Sequence, residues 1–293
     1  MTAFRHELLL HPRTQEQIGA FLAHPAHALL ITGVAGSGKL SVARATAANL
    51  LGLEPSKLEV YPYYSQIQTP EGKQEISIDA IRELIDRLKL KTPGTASIRR
   101  VVVIENSQAM SIEAQNSILK TLEEPSAETV FILTAPAAKN VAPTIASRAQ
   151  IIGVKPVARA AANDYYGGRY EQKQIDANWR LSGGAAGLLE ALIKNSAEHP
   201  LKLAVDDFKK FLAADTYGRL LDGERLARDK AQMAYFLDAG GRVLRALQQT
   251  EAGQKRQNAI TVGRKLILSL QAALQANANP RLVAAALALN LKL

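Results

Sequence analysis

Cysteine is absent from the chain, which removes both a disulfide framework and a thiolate metal site. Aromatic residues are scarce at 5%, with one tryptophan, and none alternates with lysine and arginine in the manner of a surface that stacks single-stranded bases. Acidic residues are outnumbered: 27 Asp and Glu face 36 Lys and Arg, a formal net charge of +9. That balance suits contact with nucleic acid and suits plain solubility equally, so it selects neither. Nor is there the run of about 18 apolar residues that a membrane span needs, since the last apolar run, Leu282 to Leu289, is short and rich in alanine. The opening residues carry only three leucines in a row after His6 and Glu7, which is not the pattern of a secretory signal. The five histidines are scattered, and His24 and His27 lack the spacing of a metal site, so they read as structural. A soluble, cytoplasmic chain without a membrane segment and without a bound metal is the expectation.

What is present begins with Ala28–Val42. An apolar run (Leu29, Leu30, Ile31) reads as a buried strand, a glycine-rich turn follows, and Lys39 opens a helical pattern through Val42, Ala45 and Leu50. This is the setting of a phosphate-binding loop. Gly33, Gly36 and Gly38 allow the backbone to bring N–H groups, Ser37 among them, around a phosphate, and Lys39 adds charge. The pattern G-x-x-x-x-G-K-[ST] then requires a hydroxyl as a magnesium ligand, and the chain has Leu40 there. Ser41 comes one residue late, and one helical step turns a side chain by about 100°. The loop is shaped for phosphate and poorly supplied for the metal.

At 293 residues the chain is long enough for two or three domains. Strand signals alternate with helical periodicity through the first half: Leu29–Ile31, Leu58–Tyr61, Val101–Ile104, Thr129–Thr134 and Gln150–Val154. Ile78, Ile81, Ile85 and Leu88 form a helical stripe capped by Ser77, with Asp79 in its first turn. Ser111 caps a second helix carrying Ile112, Ile118 and Leu122, with Pro125 just past its end. From Pro156 onward only helical spacing appears, through Asp164–Tyr170, Ile175–Leu181 and Leu188–Ile193. After Pro200 come stripes at Val205, Phe208 and Leu212, at Tyr235, Phe236 and Leu244, and at Val262, Leu266 and Leu270. This pattern divides the chain into an α/β nucleotide-binding domain (1–156), a small helical domain (157–199) and an all-helical C-terminal domain (200–293).

The strand Val101–Ile104 ends in Glu105 and Asn106, where an active ATPase of this kind carries two acids, one supporting magnesium and one orienting the attacking water. Glu105 retains a carboxylate; Asn106 cannot accept a proton from water. Leu40 and Asn106 are independent departures that each remove a group needed for cleavage.

The run Ala114-Gln-Asn-Ser-Ile-Leu-Lys-Thr-Leu-Glu-Glu-Pro125, with Thr144-Ile-Ala-Ser-Arg148-Ala149, Ile78–Leu84 and Ala278–Val283, resembles the AAA+ clamp-loader subunits of bacterial DNA polymerase III, and among them the delta-prime type. The resemblance spans nearly the whole chain. It implies a RecA-like AAA+ domain with a five-stranded parallel sheet, a helical lid and a helical collar. It implies that Arg148, matching the arginine of a Ser-Arg-Cys motif in which the cysteine is here Ala149, is an arginine finger acting in trans on a neighbouring subunit's ATP. Thr134 falls at the sensor-1 position, where a strand-end hydroxyl bonded to backbone is an equal reading. Gly187 falls where active relatives carry the sensor-2 arginine. The four-cysteine zinc module of many relatives is missing between Leu53 and Leu58.

The function implied is that of a hydrolysis-deficient stator in sliding-clamp loading during DNA replication, with its own ATPase weak or absent. The partners implied are delta and gamma/tau subunits, the sliding clamp, and primer-template DNA through the assembly. No cofactor is required, no zinc is expected, and the residues do not choose between ATP and ADP for the degenerate loop. Two alternatives stand beside this: a catalytically active gamma/tau-like ATPase in which Ser41 and Glu105 hold the metal, and a stand-alone DNA-binding protein using the positive charge.

Overall fold

The computed structural model describes residues 8–70, 73 and 75–292; Met1 to Glu7, read above as no secretory signal, lie outside the described residues. The chain forms two compact units. The first runs to Ala158 and takes in Ala185–Gly187; the second consists of Arg159–Gly184 and the chain from Leu188 onward.

In the first unit five strands, β1 (Ala28–Thr32), β2 (Tyr64–Ile67), β3 (Arg100–Ile104), β4 (Thr129–Ala135) and β5 (Gln150–Gly153), form one sheet in the order β2-β3-β4-β1-β5. Every pairing is parallel. The helix α1 (Pro12–Ala23) precedes the first strand, and α2 (Lys39–Leu51), α3 (Ile78–Leu88), α4 (Ile112–Glu123) and the single turn α5 (Pro143–Ala146) lie between strands. The central strands are apolar throughout because both of their faces are covered. Leu30, Val102, Ile104, Phe131 and Leu133 point to one side, against Ile81 and Leu84 of α3 and Ile118 and Leu122 of α4. Leu29, Ile31, Val101, Val103 and Ile132 point to the other, against Ile18 and Phe21 of α1 and Val42 and Ala47 of α2. Because all five strands run the same way, the exits of β1, β3 and β4 lie along one edge, where an open α/β sheet presents a ligand.

Ser77 and Ser111 cap α3 and α4 as the sequence predicts, accepting from the Ala80 and Ala114 amides at 3.4 and 3.2 Å. At the far end of α3 the buried Arg100 donates to the carbonyls of Leu88 and Leu90 at 2.7 and 2.6 Å. These carbonyls have no intrahelical partner, and a cation is well placed among them.

Two sequence expectations are corrected here. Leu58–Tyr61 is not a strand: it follows a 3-10 turn over Pro55–Lys57, and Leu58 is buried as a plug in the core. The strand is β2, which sits at the sheet edge with all four residues only partly buried, so it lacks the apolar run that marks its neighbours. Ile112 belongs to α4 but is its first residue and 74% exposed, so Ala114, Ile118 and Leu122 carry the packing.

The second unit is helical among the described residues: α6 (Arg159–Tyr166), α7 (Gln172–Ser182), α8 (Ala186–Ile193, whose first two residues fall in the first unit), α9 (Pro200–Ala213), α10 (Thr216–Leu226), α11 (Lys230–Thr250), α12 (Gln254–Gln275) and α13 (Pro280–Asn290). The helix expected over Asp164–Tyr170 lies earlier, as α6. His199 caps α9 through its ring nitrogen, and Pro200 occupies the first turn. At the centre Phe208, Phe211 and Phe236 pack with ring centroids 5.2–5.8 Å apart. On α12 the buried positions are Ile260, Gly263, Ile267, Leu270 and Leu274, so of the expected stripe Leu270 is buried, whereas Val262 is 64% exposed and Leu266 only half-buried. Among the described residues no helix is long and apolar enough to cross a membrane.

Candidate functional site

The loop from Gly33 to Lys39 joins β1 to α2. Gly36 and Gly38 take φ of 74° and 87°, the left-handed region that only glycine enters freely. Gly33 serves differently. Its φ is not positive, but a side chain there would meet Ser37 Oγ at 2.7 Å and the Val154 carbonyl at 3.2 Å. Ser37 is itself buried, and its Oγ has no hydrogen-bond partner among the described residues. Lys39 turns back on the loop, donating from Nζ to the carbonyls of Gly33 at 2.9 Å and Val34 at 3.1 Å.

The side chain after Lys39 is hydrocarbon and carries no oxygen. Leu40 packs on the core face formed by Leu29, Ile31 and Val42, while Ser41 is exposed. At the exit of β3, burial raises the carboxyl of Glu105 above the ordinary glutamate range, with Lys39 and Arg44 pulling it partly back. Burial likewise lowers the Lys39 ammonium, and Glu105 opposes that shift. The lysine and the carboxylate therefore feel one another across the mouth of the loop.

The sign of the Glu105 shift gives a testable consequence. A carboxyl whose folded pKa lies above its unfolded value favours the fold when protonated, and that contribution is lost as pH rises through the carboxylate range. Glu105→Gln is therefore expected to leave stability unchanged or raise it at neutral pH, with the difference vanishing in acid. Thermal melts of both proteins across pH 4 to 8 (roughly the span over which a raised glutamate titrates) check this, and a clear loss of stability at neutral pH contradicts it.

Asn106 adopts a left-handed conformation, φ 51°, and its amide donates to Thr134 Oγ1 at 2.9 Å. Ser107, fully buried, donates from Oγ to the Thr134 carbonyl at 3.0 Å. Thr134 thus ties the ends of β3 and β4 together by backbone bonds, the second of the two readings its position allowed. Gly187, at the sensor-2 position, lies on the loop itself: a Cβ there would fall 3.0 Å from the Gly36 carbonyl oxygen and from the Gly38 nitrogen and Cα. A side chain there would require the loop backbone to give by a few tenths of an ångström. The residues present fit a phosphate, through the glycines and Lys39, and do not fit its magnesium, because no oxygen ligand stands where Leu40 is.

Arg148 follows the single turn α5, which is anchored by the fully buried Ile145. Its guanidinium pairs with Glu123, the last residue of α4, at 2.5 Å, and also donates to the Thr144 carbonyl at 2.8 Å and to Ser147 Oγ at 3.4 Å. The side chain is 34% exposed, so it is held at the surface of the first unit and is not buried within it. Ser107 and Glu123 were not legible as site residues. The first is one small residue beyond the acid pair of β3, and the second acquires a role only through tertiary contact.

Among the described residues no group of three or more His, Asp or Glu is placed to hold a metal ion. Residues 22–158 match a family described as DNA polymerase III, delta subunit. Among curated relatives, the DNA polymerase III subunit delta' of Pseudomonas aeruginosa is 34% identical over 146 residues, covering 45% of this chain and 44% of that protein. The subunit delta' of Escherichia coli is 27% identical over 202 residues, covering 63% and 60%. The matches span about half the length of these relatives. Among solved structures, a gamma subunit-related protein of DNA polymerase III from Thermotoga maritima superposes with a TM-score of 0.56 at 18% identity, covering 94% of this chain and 98% of that one. That likeness is one of fold: a parallel sheet with helices, followed by a helical region.

Proposed function

We propose that this chain, which belongs across residues 22–158 to the DNA polymerase III delta-type family, is a delta-prime-like stator of a clamp loader. It assembles with delta and gamma/tau subunits, and the assembly seats a sliding clamp on primer-template DNA. In this reading the first unit keeps the frame of an ATPase and does no hydrolysis of its own. The helical remainder of the chain divides functionally into a lid (157–199) and an assembling collar (200–293).

The observation that carries the reading is Leu40. A partly buried hydrocarbon side chain resting against the core, where the loop motif asks for a hydroxyl, deprives the loop of a ligand for the metal that phosphoanhydride cleavage needs, while the surface arginine at 148 is kept. Gly187 against Gly36 and Gly38, and Asn106 in place of an acid, support it.

An arginine supplied across an interface neutralises charge that develops on a transferred phosphoryl group, so a subunit can be essential to turnover without performing it. Two measurements test the assignment. The isolated chain with magnesium and ATP is expected to show no turnover, and mass measurement after mixing with the organism's delta and gamma/tau subunits is expected to find it in a complex. Turnover by the isolated chain that is lost in Glu105→Gln would establish the active-ATPase alternative instead. Steeply salt-dependent DNA binding with no complex formation would establish the stand-alone alternative.

A further inference from the structure

We infer that Glu123 is a positioning residue for Arg148. It is the group that holds the guanidinium in one orientation at the surface, ready for a neighbour's phosphate. This deepens the reading above and rests on Arg148 acting in trans.

An arginine on a surface turn would ordinarily sample many rotamers, and an electrostatic group works in a transition state only to the extent that it is already in place. Here it is bound on two sides by rigid elements. Glu123 is the last residue of α4, two before Pro125, and Thr144 lies in the turn anchored by Ile145. The contacts to Glu123, Thr144 and Ser147 engage three N–H donors of the fork and leave others for an incoming oxyanion. The pair is partly exposed, so a phosphate can reach the guanidinium without the ion pair first being buried. Glu123 also carries one negative charge where a polyphosphate carries several. The guanidinium is therefore orientated by the weaker anion and remains available to the stronger one.

The experiment reconstitutes the loader with the parent chain, Glu123→Ala, Glu123→Gln, Arg148→Ala and the double variant Glu123→Ala/Arg148→Ala. It measures kcat and KM for clamp- and DNA-stimulated ATP hydrolysis, with complex mass as the control for assembly. Glu123→Ala is expected to lower kcat about tenfold with KM shifted by no more than roughly twofold. Glu123→Gln should retain most of the activity, because its amide oxygen still accepts from the fork. The double variant should match Arg148→Ala alone, because with no guanidinium there is nothing left to position. The proposal is overturned if Glu123→Ala leaves kcat intact, or if it lowers the Arg148→Ala background by the same factor, which marks a structural role. An Arg148→Ala loader with undiminished kcat refutes the finger itself, an outcome distinct from either.

Discussion

Replacing Arg148 by alanine in the assembled loader is expected to cut ATP turnover about a thousandfold. At roughly 1.4 kcal/mol per decade, that is about 4 kcal/mol of transition-state stabilisation supplied by one side chain from across an interface. The size of the effect follows from the medium. A guanidinium brought against a phosphoryl group at a closed interface acts where water is excluded, so its charge is far less screened than on an open surface. Arg148→Lys is expected to recover only part of the loss, because an ammonium supplies a point charge without the planar fork that spans two phosphate oxygens. Steady-state hydrolysis stimulated by clamp and DNA is the measurement, with complex mass confirming that the variant subunit is incorporated. A fall of less than about tenfold would remove Arg148 from the reaction.

The second large effect concerns stability. Phe208 of α9 is fully buried, stacks with Phe211 at 5.8 Å and packs at a tilt against Phe236 of α11 at 5.2 Å. Its ring occupies space that α11 leaves open by having glycine at 240: a Cβ there would lie 2.4 Å from Phe208 Cε2 and 2.9 Å from Ile267 Cδ1. A glycine inside a helix costs about 1 kcal/mol relative to alanine, and the helix accepts that cost to admit the ring. Phe208→Ala therefore removes both the ring and the reason for the gap, since backbone cannot collapse into the void. The expected loss is about 3–5 kcal/mol in the second unit. The single tryptophan, Trp179, lies in α7 of that unit, so its fluorescence during denaturant unfolding follows the right part of the chain. A loss below about 1 kcal/mol would mean that the aromatic cluster does not organise the unit.

How much of this could be read from the residues varies with what fixed each feature. Strands buried on both faces announce themselves, as Leu29–Ile31, Val101–Ile104 and Thr129–Thr134 did, because burial on two sides demands an unbroken apolar run. The edge strand did not: Tyr64–Ile67 is half-covered and mixed in composition, whereas Leu58–Tyr61 looks more like a strand and is a turn. Part of the α12 stripe was misread for a related reason. Its apolar residues surround the helix, so Val262 and Leu266 are as plausible on sequence as Ile260 and Ile267, and only packing partners decide. In the site, local chemistry was legible. Leu40 for a hydroxyl and Asn106 for an acid are statements about single positions, and the glycine loop is a contiguous motif. What was not legible depends on distance. That Gly187 rests on Gly36 and Gly38, that Thr134 receives the Asn106 amide and that Glu123 grips Arg148 all join residues separated in sequence.

The proposed function is a division of labour read from Leu40 after the loop lysine, Gly187 against the loop and Arg148 at the surface. Its most direct test is the ATPase rate of a reconstituted loader in which only this chain carries Lys39→Ala. On the proposed reading the chain's own loop takes no part in hydrolysis, so the rate is expected to equal that of the parent assembly. A loss approaching that of Arg148→Ala would contradict the account, for it would mean that nucleotide in this loop is needed for turnover after all.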